Sequence, residues 1–265
     1  MKLSKEHRKI ARLFYRLKDY IDRKVTQLDT ETLSHFQFYL FFIYGPVASY
    51  SDTVVILCKN NKHNAAYAIL RSLYEAHFNI AYHSIGNSEK KLAISARKQF
   101  IEQLKGLRGI NESLVRHKDM QSPDFSSLYN LKHLTELIEL TESRIEAILL
   151  SNSLTDADRD PVLIEKATRC DEAKIKGASP GHFVMMYQMV YRLLSPYVHL
   201  DIQGLENFIS KDEAEKYYFN EKPDNHLLIP PAIAIYVALV KDLYDEKLLI
   251  DEKPQLLLDL DLLTR

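Results

Sequence analysis

The sequence predicts an all-α protein, a single helical bundle of about seven helices. Apolar residues recur mostly at spacings of three and four along the 265-residue chain, which is the period of an amphipathic helix. Only seven glycines and nine prolines interrupt this pattern, so we expect few tight turns and no phosphate-binding glycine loop. At 46% hydrophobic residues, the chain can form a large core. We expect one domain over residues 1–265, with its core at about 31–248 and a leucine-rich tail at 249–265.

Each predicted helix is bounded by residues that favour a helix end. Thr30 or Thr32 is the expected N-cap of the second helix, Pro46 its expected kink, and Gly86 the expected stop of the third. The Pro230-Pro231 pair is expected to open the last core helix. Residues 201–219 read as irregular structure or a short helix. Helical segments are predicted at about residues 4–27, 32–60, 62–85, 88–118, 127–151, 161–174, 182–198 and 230–248, and we expect the third segment and residues 182–198 at the centre of the bundle.

The fourth and fifth predicted helices carry opposite charge. Residues 89–118 contain eight Lys or Arg and three Glu, whereas residues 124–146 contain five Asp or Glu and two Lys or Arg. Such a pair is typical of an antiparallel hairpin with complementary charged faces. The alternative is a basic face that contacts nucleic acid. Because few aromatic residues interleave with the basic ones, the hairpin is favoured.

The overall charge and the cysteines limit the setting in which the protein works. The net charge of −1 gives no general attraction to nucleic acid or anionic membranes. Two cysteines without a spacing pattern are typical of a reducing cytoplasm, and the charged N-terminus lacks the apolar core of a signal peptide. Residues 33–51 have no formal charge, but their polar residues favour a buried core helix over a membrane span. We therefore expect a cytoplasmic protein without a membrane partner.

Two stretches exclude charge almost entirely, yet each keeps it at chosen positions. Residues 65–81 contain only Arg71 and Glu75 as formal charges, and residues 177–200 contain only Arg192. Buried charge is costly unless it is paired, so these positions are candidates for a functional site. Arg71 and Glu75 are four apart and share one helix face. The structural alternative is an internal ion pair that only fixes helix packing.

Arg192 and His199 are seven residues apart, so both are expected on one face of a helix. Pro196 removes an amide donor between them and frees backbone groups beside Ser195. Asp201 follows closely enough to orient the His199 ring. His199 could equally be a helix-end or core residue with no catalytic role. Met185, Met186 and Met189 are expected to fill the core.

The string Arg192-Leu-Leu-Ser-Pro-Tyr-Val-His199 resembles the R-x4–6-H motif of HEPN-type helical bundles. Together with AYAILRSLYEAHFNIAY, which contains Arg71 and Glu75, and LLSPYVHLD, which contains Ser195 and His199, it is similar to an uncharacterised bacterial family within that group. The resemblance covers about 30 residues. It implies an α-helical bundle, often dimeric, with RNA cleavage in a toxin or phage-defence setting. Arg192 and His199 would then be catalytic, and Arg71, Glu75, Ser195 and Asp201 supporting residues.

This chemistry needs no metal or cofactor. An imidazole titrates near neutral pH and can act as general acid or base, and a guanidinium offsets charge that develops on phosphate. The sequence contains no HExxH, CxxC or nucleotide-binding glycine pattern, so we expect no cofactor and no metal site. The alternative function is a non-catalytic helical binding or assembly module with a structural Arg–Glu network and a protein partner. We also expect a homodimer, formed through apolar residues of the second helix, Phe36, Tyr39, Phe42 and Tyr44, and through the tail.

Overall fold

The all-α prediction is confirmed. The computed structural model describes residues 3–116, 131–155, 157–175, 178–192, 194, 209–211, 217–219 and 228–264. The helices in this part of the chain are α1 (Lys5–Val25), α2 (His35–Lys59), α3 (His63–Ser84), α4 (Ser88–Arg116), α5 (Leu131–Ser151), α6 (Leu163–Glu172), α7 (His182–Met186), α8 (Ile229–Asp245) and α9 (Gln255–Thr264). A 3₁₀ turn (Thr30–Thr32) precedes α2, and a π-helical segment (Tyr187–Tyr191) continues α7.

Serine side chains cap the first two helices. The Ser4 hydroxyl accepts a hydrogen bond from the His7 amide at 3.0 Å. Ser34 accepts one from the Gln37 amide at 3.2 Å, and the Gln37 side chain accepts one in return from the Ser34 amide at 2.9 Å. This capping box satisfies donors that a helix N-terminus otherwise leaves unpaired. The prediction of Thr30 or Thr32 as the cap of α2 is therefore wrong, because those two threonines lie in the separate 3₁₀ turn.

The core is centred on α8 rather than on the segment that begins at His182. α8 packs against α1, α2, α3 and α9, and Tyr236 is the largest fully buried side chain of the described residues. Phe14 of α1 meets the Tyr236 ring edge-on at 5.1 Å, and the Ser51 hydroxyl of α2 donates to the Ala232 carbonyl at 3.1 Å. In α7 and the π segment, only Phe183 is buried. The expected central place is wrong for residues 182–191, whose outer side faces solvent; most of the predicted remainder, to residue 198, lies outside the described residues.

The tail packs on its own chain. α9 lies against α1 and α8, with Leu257 and Leu260 fully buried. Lys241 of α8 pairs with Asp261 at 2.5 Å. Burial within this chain thus accounts for Leu257 and Leu260, whereas Leu258 and Leu262 are exposed.

A short hairpin occupies part of the region expected to be irregular or helical. Strands β1 (Ile209–Lys211) and β2 (Tyr217–Phe219) pair antiparallel, with Ile209 opposite Phe219. The helical alternative is wrong for these six residues. Three-residue strands are too short for a period of two to be read from the sequence.

The chain forms two compact units, one of residues 1–85 with 162–265 and one of residues 86–161. The expectation of a single domain stays a prediction, since two such units can belong to one domain. The smaller unit contains α4 and α5, which pack on each other. Contacts join Arg108 to Glu142 at 2.6 Å, and Lys98 to Asp160 at 3.2 Å. Arg108 comes after Lys98 in the sequence, but its partner Glu142 comes before Asp160, the partner of Lys98. The two segments therefore run antiparallel.

Basic residues of α4 form ion pairs and hydrogen bonds within the smaller unit. Lys90 pairs with Asp158 at 2.9 Å, and Arg97 donates to the Thr155 carbonyl at 2.9 Å. The neighbouring Lys90 and the Thr155 hydrogen bonds lower the pKa of Asp158 to about 2, with the Thr155 backbone as the largest cause. The ion pair of Arg108 with Glu142 fits the predicted complementary faces of the two helices. The contacts of Lys90 and Arg97 are made instead with residues after α5, and they leave less positive charge for nucleic acid.

α2 has one buried and one exposed face. Leu40, Val54 and Cys58 are fully buried against the core, whereas Phe38, Phe42 and Ile56 are exposed. By length and composition this helix could cross a membrane. The core helix of a soluble protein passes the same test, and 39% of the apolar window of α2 is buried, with α3 and α8 packed against the helix. The predicted role as a core helix therefore holds for one face.

Candidate functional site

The charged pair of α3 meets a tyrosine of the π segment. The Tyr191 hydroxyl donates to Glu75 Oε1 at 2.6 Å and accepts from Arg71 Nη2 at 2.7 Å. Arg71 Nη2 lies 3.4 Å from Glu75 Oε1. The predicted approach of Glu75 to Arg71 is confirmed. Tyr191 completes the group, and nothing in the sequence singled it out, because one tyrosine in an apolar helix carries no signal of its own.

The pair is only partly buried. The Arg71 side chain is 17% exposed and that of Glu75 is 41% exposed. The Arg71 guanidinium lies over the Tyr191 ring, 4.8 Å from its centroid, and its buried Nε atom has no hydrogen-bond partner among the described residues. A deeply buried ion pair, one reading of the sequence, is therefore wrong for Glu75, whose carboxylate keeps access to water.

Aromatic packing holds the π segment against α3. The Tyr187 and Tyr191 rings stack at 5.3 Å with a 20° interplanar angle. Phe78 of α3, fully buried, meets both rings edge-on at 6.3 Å. π-helical turns are rare and frequently occur at functional sites. Here the π-helical turn brings the Tyr191 hydroxyl into contact with Arg71 and Glu75 of α3. The next residue, Arg192, is exposed to solvent.

Arg192 is exposed. Its guanidinium donates to the Gln188 side chain at 3.1 Å, one turn earlier. Because the Gln188 side chain is neutral, this hydrogen bond does not neutralise the charge of the Arg192 guanidinium. The sequence predicted Glu75 as a counter-charge for Arg71, Arg192 or both, and the contacts of the described residues assign it to Arg71.

Two of the three methionines expected in the core are instead on the surface, and the third, Met186, is half-buried. Met185 is 58% exposed and Met189 is 63% exposed. Gln188, between them, is exposed as well. The core assignment failed because an apolar helix does not reveal from composition which of its faces a neighbour covers. The outer side of this segment thus combines two methionines, an amide and an arginine.

His77 is a site residue that the sequence reasoning missed. Burial, with a smaller contribution from His182, lowers its pKa to about 4, so the ring is neutral at pH 7. It stacks on Phe183 at 5.7 Å with a 21° interplanar angle. Its place in the charge-poor stretch 65–81 was the only available signal. A neutral, half-buried imidazole here packs the start of α7 against α3.

Asp171 fixes the start of α7. Its two carboxylate oxygens accept hydrogen bonds from the amides of Phe183 at 3.0 Å and Val184 at 2.9 Å. A carboxylate at a helix N-terminus is favourable because the amides there lack intrahelical partners. α6 therefore anchors one end of the segment, and the α3 charges anchor the other end at Tyr191.

Ser195, His199 and Asp201 lie outside the described residues. Their placement relative to Arg192 stays a prediction. Within the described ranges, no three His, Cys, Asp or Glu side chains are grouped so that they could hold a metal ion. The expectation of a site without metal or cofactor remains one drawn from the sequence.

Comparison with known proteins gives a family and no function. The model of a family of unknown function (DUF5677) matches residues 37–217, more than half of the 265 residues. No curated protein matches the chain, and no solved structure matches it. The matched range contains all six candidate residues and the whole of α3 and the π segment, whereas α8 and α9 lie beyond it.

Proposed function

We propose, on the premise that the chain belongs to the DUF5677 family of unknown function, that it is a HEPN-like bacterial protein that cleaves RNA without a metal ion. Arg192 and His199 are the proposed catalytic residues. Arg71, Glu75, Ser195 and Asp201 are the proposed supporting residues. The proposed setting is toxin or phage defence in the cytoplasm.

The observation that supports this proposal is the position of Arg192. It is exposed, it is the residue that follows Tyr191, and Tyr191 is held by two hydrogen bonds from α3. A phosphate clamp needs this combination, since the guanidinium must reach a polyanion while its backbone stays fixed. The charges of α3 would thus act on Arg192 through Tyr191, as positioning residues.

The proposed reaction is transfer of the phosphodiester to the neighbouring 2′-hydroxyl. The neutral His199 imidazole removes the proton of the 2′-hydroxyl, whose oxygen bonds to phosphorus. The bond from phosphorus to the 5′-oxygen breaks, and that oxygen takes a proton from the imidazolium, which restores the base. Arg192 offsets the charge that develops on the phosphate oxygens. A homodimer would supply two such pairs to one strand.

The test is a cleavage assay in chelator on single-stranded and structured RNA. We expect cleavage by the native protein, and Arg192→Ala and His199→Ala should each lower the rate roughly 100-fold or more. Arg12→Ala is the matched control, because Arg12 is an exposed arginine on α1. Circular dichroism of each variant checks the fold. Cleavage that survives both substitutions would exclude these two residues as catalysts.

The second candidate function is a non-catalytic binding or assembly module with a protein partner. The observation that favours it is the exposure of Met185 and Met189 beside Gln188, since methionines are over-used on adaptable protein-binding surfaces. In this case Arg71, Glu75 and Tyr191 fix the packing of two helices and have no catalytic role. Absence of cleavage on every RNA tested would favour this module over the nuclease.

A further inference from the structure

The exposed face of α2 is an unusual surface for a chain that is 27% charged. Along one face, at helical spacing, lie Phe38, Phe42, Gly45, Ser49, Thr53 and Ile56, which we call the outer stripe. Phe38, Phe42 and Ile56 are 42%, 58% and 46% exposed. The Phe38 and Phe42 rings contact each other at 4.5 Å, and Tyr50 flanks the stripe, also exposed.

The outer stripe carries no formal charge. α2 contains two charged residues, Asp52 and Lys59, and both are engaged with Tyr15 of α1. The Tyr15 hydroxyl donates to Asp52 at 2.7 Å, and the Lys59 ammonium lies 4.8 Å from the centroid of the Tyr15 ring. The Thr53 hydroxyl is also satisfied within the helix, because it donates to the Ser49 carbonyl at 2.8 Å. An uncharged partner surface can therefore cover the stripe without stranding a charge.

Four of the six residues of the stripe are placed symmetrically along the helix, and the other two, Phe42 and Thr53, pair a large side chain with a small one. Phe38 and Ile56 lie at equal distances in sequence on either side of position 47, and so do Gly45 and Ser49. A Cβ atom at Gly45 would meet nothing within 4 Å, so the surface there is open. If a second α2 crosses antiparallel near position 47, each Phe38 meets the other Ile56 and the small residues meet at the crossing. This is the pattern of an isologous two-fold contact, in which one patch is its own complement.

We propose that the outer stripe is the interface of a homodimer, with a second copy of this chain as its occupant in antiparallel orientation. The proposal goes beyond RNA cleavage and does not depend on it. It also corrects the surface predicted from the sequence: of the four residues named there, Phe36 and Tyr44 are buried, Tyr39 is half-buried and Phe42 is exposed.

The apolar area indicates a weak dimer. Taking about 200 Å² for each large side chain, the exposed fractions of Phe38, Phe42, Tyr50 and Ile56 amount to roughly 400 Å² per copy. Two copies then contribute about 800 Å² before smaller neighbours are added, below the ~1,200 Å² at which standard interfaces begin. We expect a dissociation constant on the order of 1–100 μM.

The first experiment is sedimentation velocity of the full chain over a concentration series. The native protein should shift from monomer to dimer across the micromolar range. Phe42→Glu should weaken association by about tenfold or more, since it places a charge in the contact. Leu150→Glu is the control, because Leu150 is 82% exposed and lies in the smaller unit. A native protein that stays monomeric at about 100 μM overturns the proposal.

A second variant separates a packed interface from general stickiness. Ser49→Leu enlarges the apolar surface and favours the helix, so simple hydrophobic association would strengthen. A close crossing at Ser49 requires the opposite, and we expect weaker association by about tenfold. Stronger association of this variant would overturn the proposed geometry.

Cross-linking tests the orientation. Both native cysteines are buried, so introduced thiols dominate oxidation in the folded protein. A mixture of Phe38→Cys and Ile56→Cys chains should form disulfide dimers faster than either chain alone, whereas a parallel pair predicts the reverse. Flotation with neutral phosphatidylcholine vesicles tests the other occupant. Co-flotation of a monomer that Phe42→Glu abolishes would show that the stripe meets lipid, and would overturn the proposal.

Discussion

Tyr191 connects the two charges of α3 to the residue proposed to contact RNA. Its hydroxyl is both donor, to Glu75, and acceptor, from Arg71. Both bonds involve charged groups, which makes them stronger than neutral ones. Glu75, in contrast, can turn to water when its partner is lost, because its side chain is 41% exposed. The 3–5 kcal/mol typical of a broken buried pair therefore does not apply to Glu75→Ala, for which about 1 kcal/mol is the reasonable size.

Tyr191→Phe should lower the free energy of unfolding by about 1–2 kcal/mol, because it removes the bridging hydroxyl and keeps the ring. Urea unfolding measures this, with Tyr50→Phe as the matched control on an exposed tyrosine. Burial first, and then the bond to Glu75, raise the pKa of Tyr191 to about 12. Between pH 10 and 12 the unfolded chain loses this proton before the folded one, so stability falls as pH rises. The Tyr191→Phe variant should lose that part of the dependence of stability on pH. An unchanged slope would show that ionisation of Tyr191 does not contribute to it.

Asp242 of α8 is the other residue whose titration affects stability. Burial is the main cause that raises its pKa to about 7, and Asp245 and Glu246 raise it further. Lys241 and Lys253 act in the opposite direction, but they pair with Asp261 and Asp245. The folded chain therefore holds a proton on Asp242 that the unfolded chain has lost above about pH 4. From pH 4 to 7 this group makes the protein less stable as pH rises.

Asp242→Asn should remove that slope and raise the free energy of unfolding at pH 8 by about 2–4 kcal/mol. Urea titrations between pH 4 and 8 measure both effects. Glu252→Gln, an exposed substitution close in sequence, should change the free energy of unfolding by less than about 0.5 kcal/mol. Equal slopes in native protein and Asp242→Asn would show that the carboxyl is ionised in the fold.

At the scale of elements, the positions of the helices could be predicted from the sequence, but the cap of α2 and the π-helical segment could not. The period of three and four residues placed α1 to α6 and α8 to within a few residues, since that period is fixed by helix geometry. The cap of α2 was missed because two threonines, which are also favourable caps by type, lie just before Ser34. The π segment was missed because one extra residue in a turn hardly changes an apolar pattern.

The candidate site shows the same division. The pairing of Arg71 with Glu75 could be predicted, because residues four apart on a helix are neighbours. Tyr191, His77 and Asp171 could not, since their roles arise from contacts between α3, α6 and the segment after His182. Exposure of Met185 and Met189 likewise depends on which neighbour is present, which composition does not record.

At the scale of the whole molecule, the two compact units differ in their cores. The fully buried side chains of the described residues lie in the larger unit, on α1, α2, α3, α6, α8, α9 and residue 228. In the smaller unit, Leu114, Leu134 and Leu154 are buried but none of them fully. Local opening is easiest where few apolar contacts are lost. The smaller unit should therefore open more often than the larger one.

Hydrogen exchange measured by mass spectrometry tests this order. Peptides from α8 should exchange slowest and peptides from α4 and α5 faster, although all three are helical. Peptides from α9, which is also helical but is near a chain end, serve as a comparison for fraying. Equal protection in α5 and α8 would mean that the two units open together, in one cooperative step.

The two buried cysteines make opening of the larger unit measurable by thiol alkylation. Cys58 of α2 and Cys170 of α6 are both fully buried, and burial raises the pKa of the Cys58 thiol to about 12. Only a thiolate reacts readily with an alkylating reagent, so modification at neutral pH must wait until the larger unit separates around them. The smaller unit, residues 86–161, contains no cysteine. Alkylation rates therefore report the opening of the larger unit alone. Unfolding of the smaller unit exposes no thiol and does not change the alkylation rate.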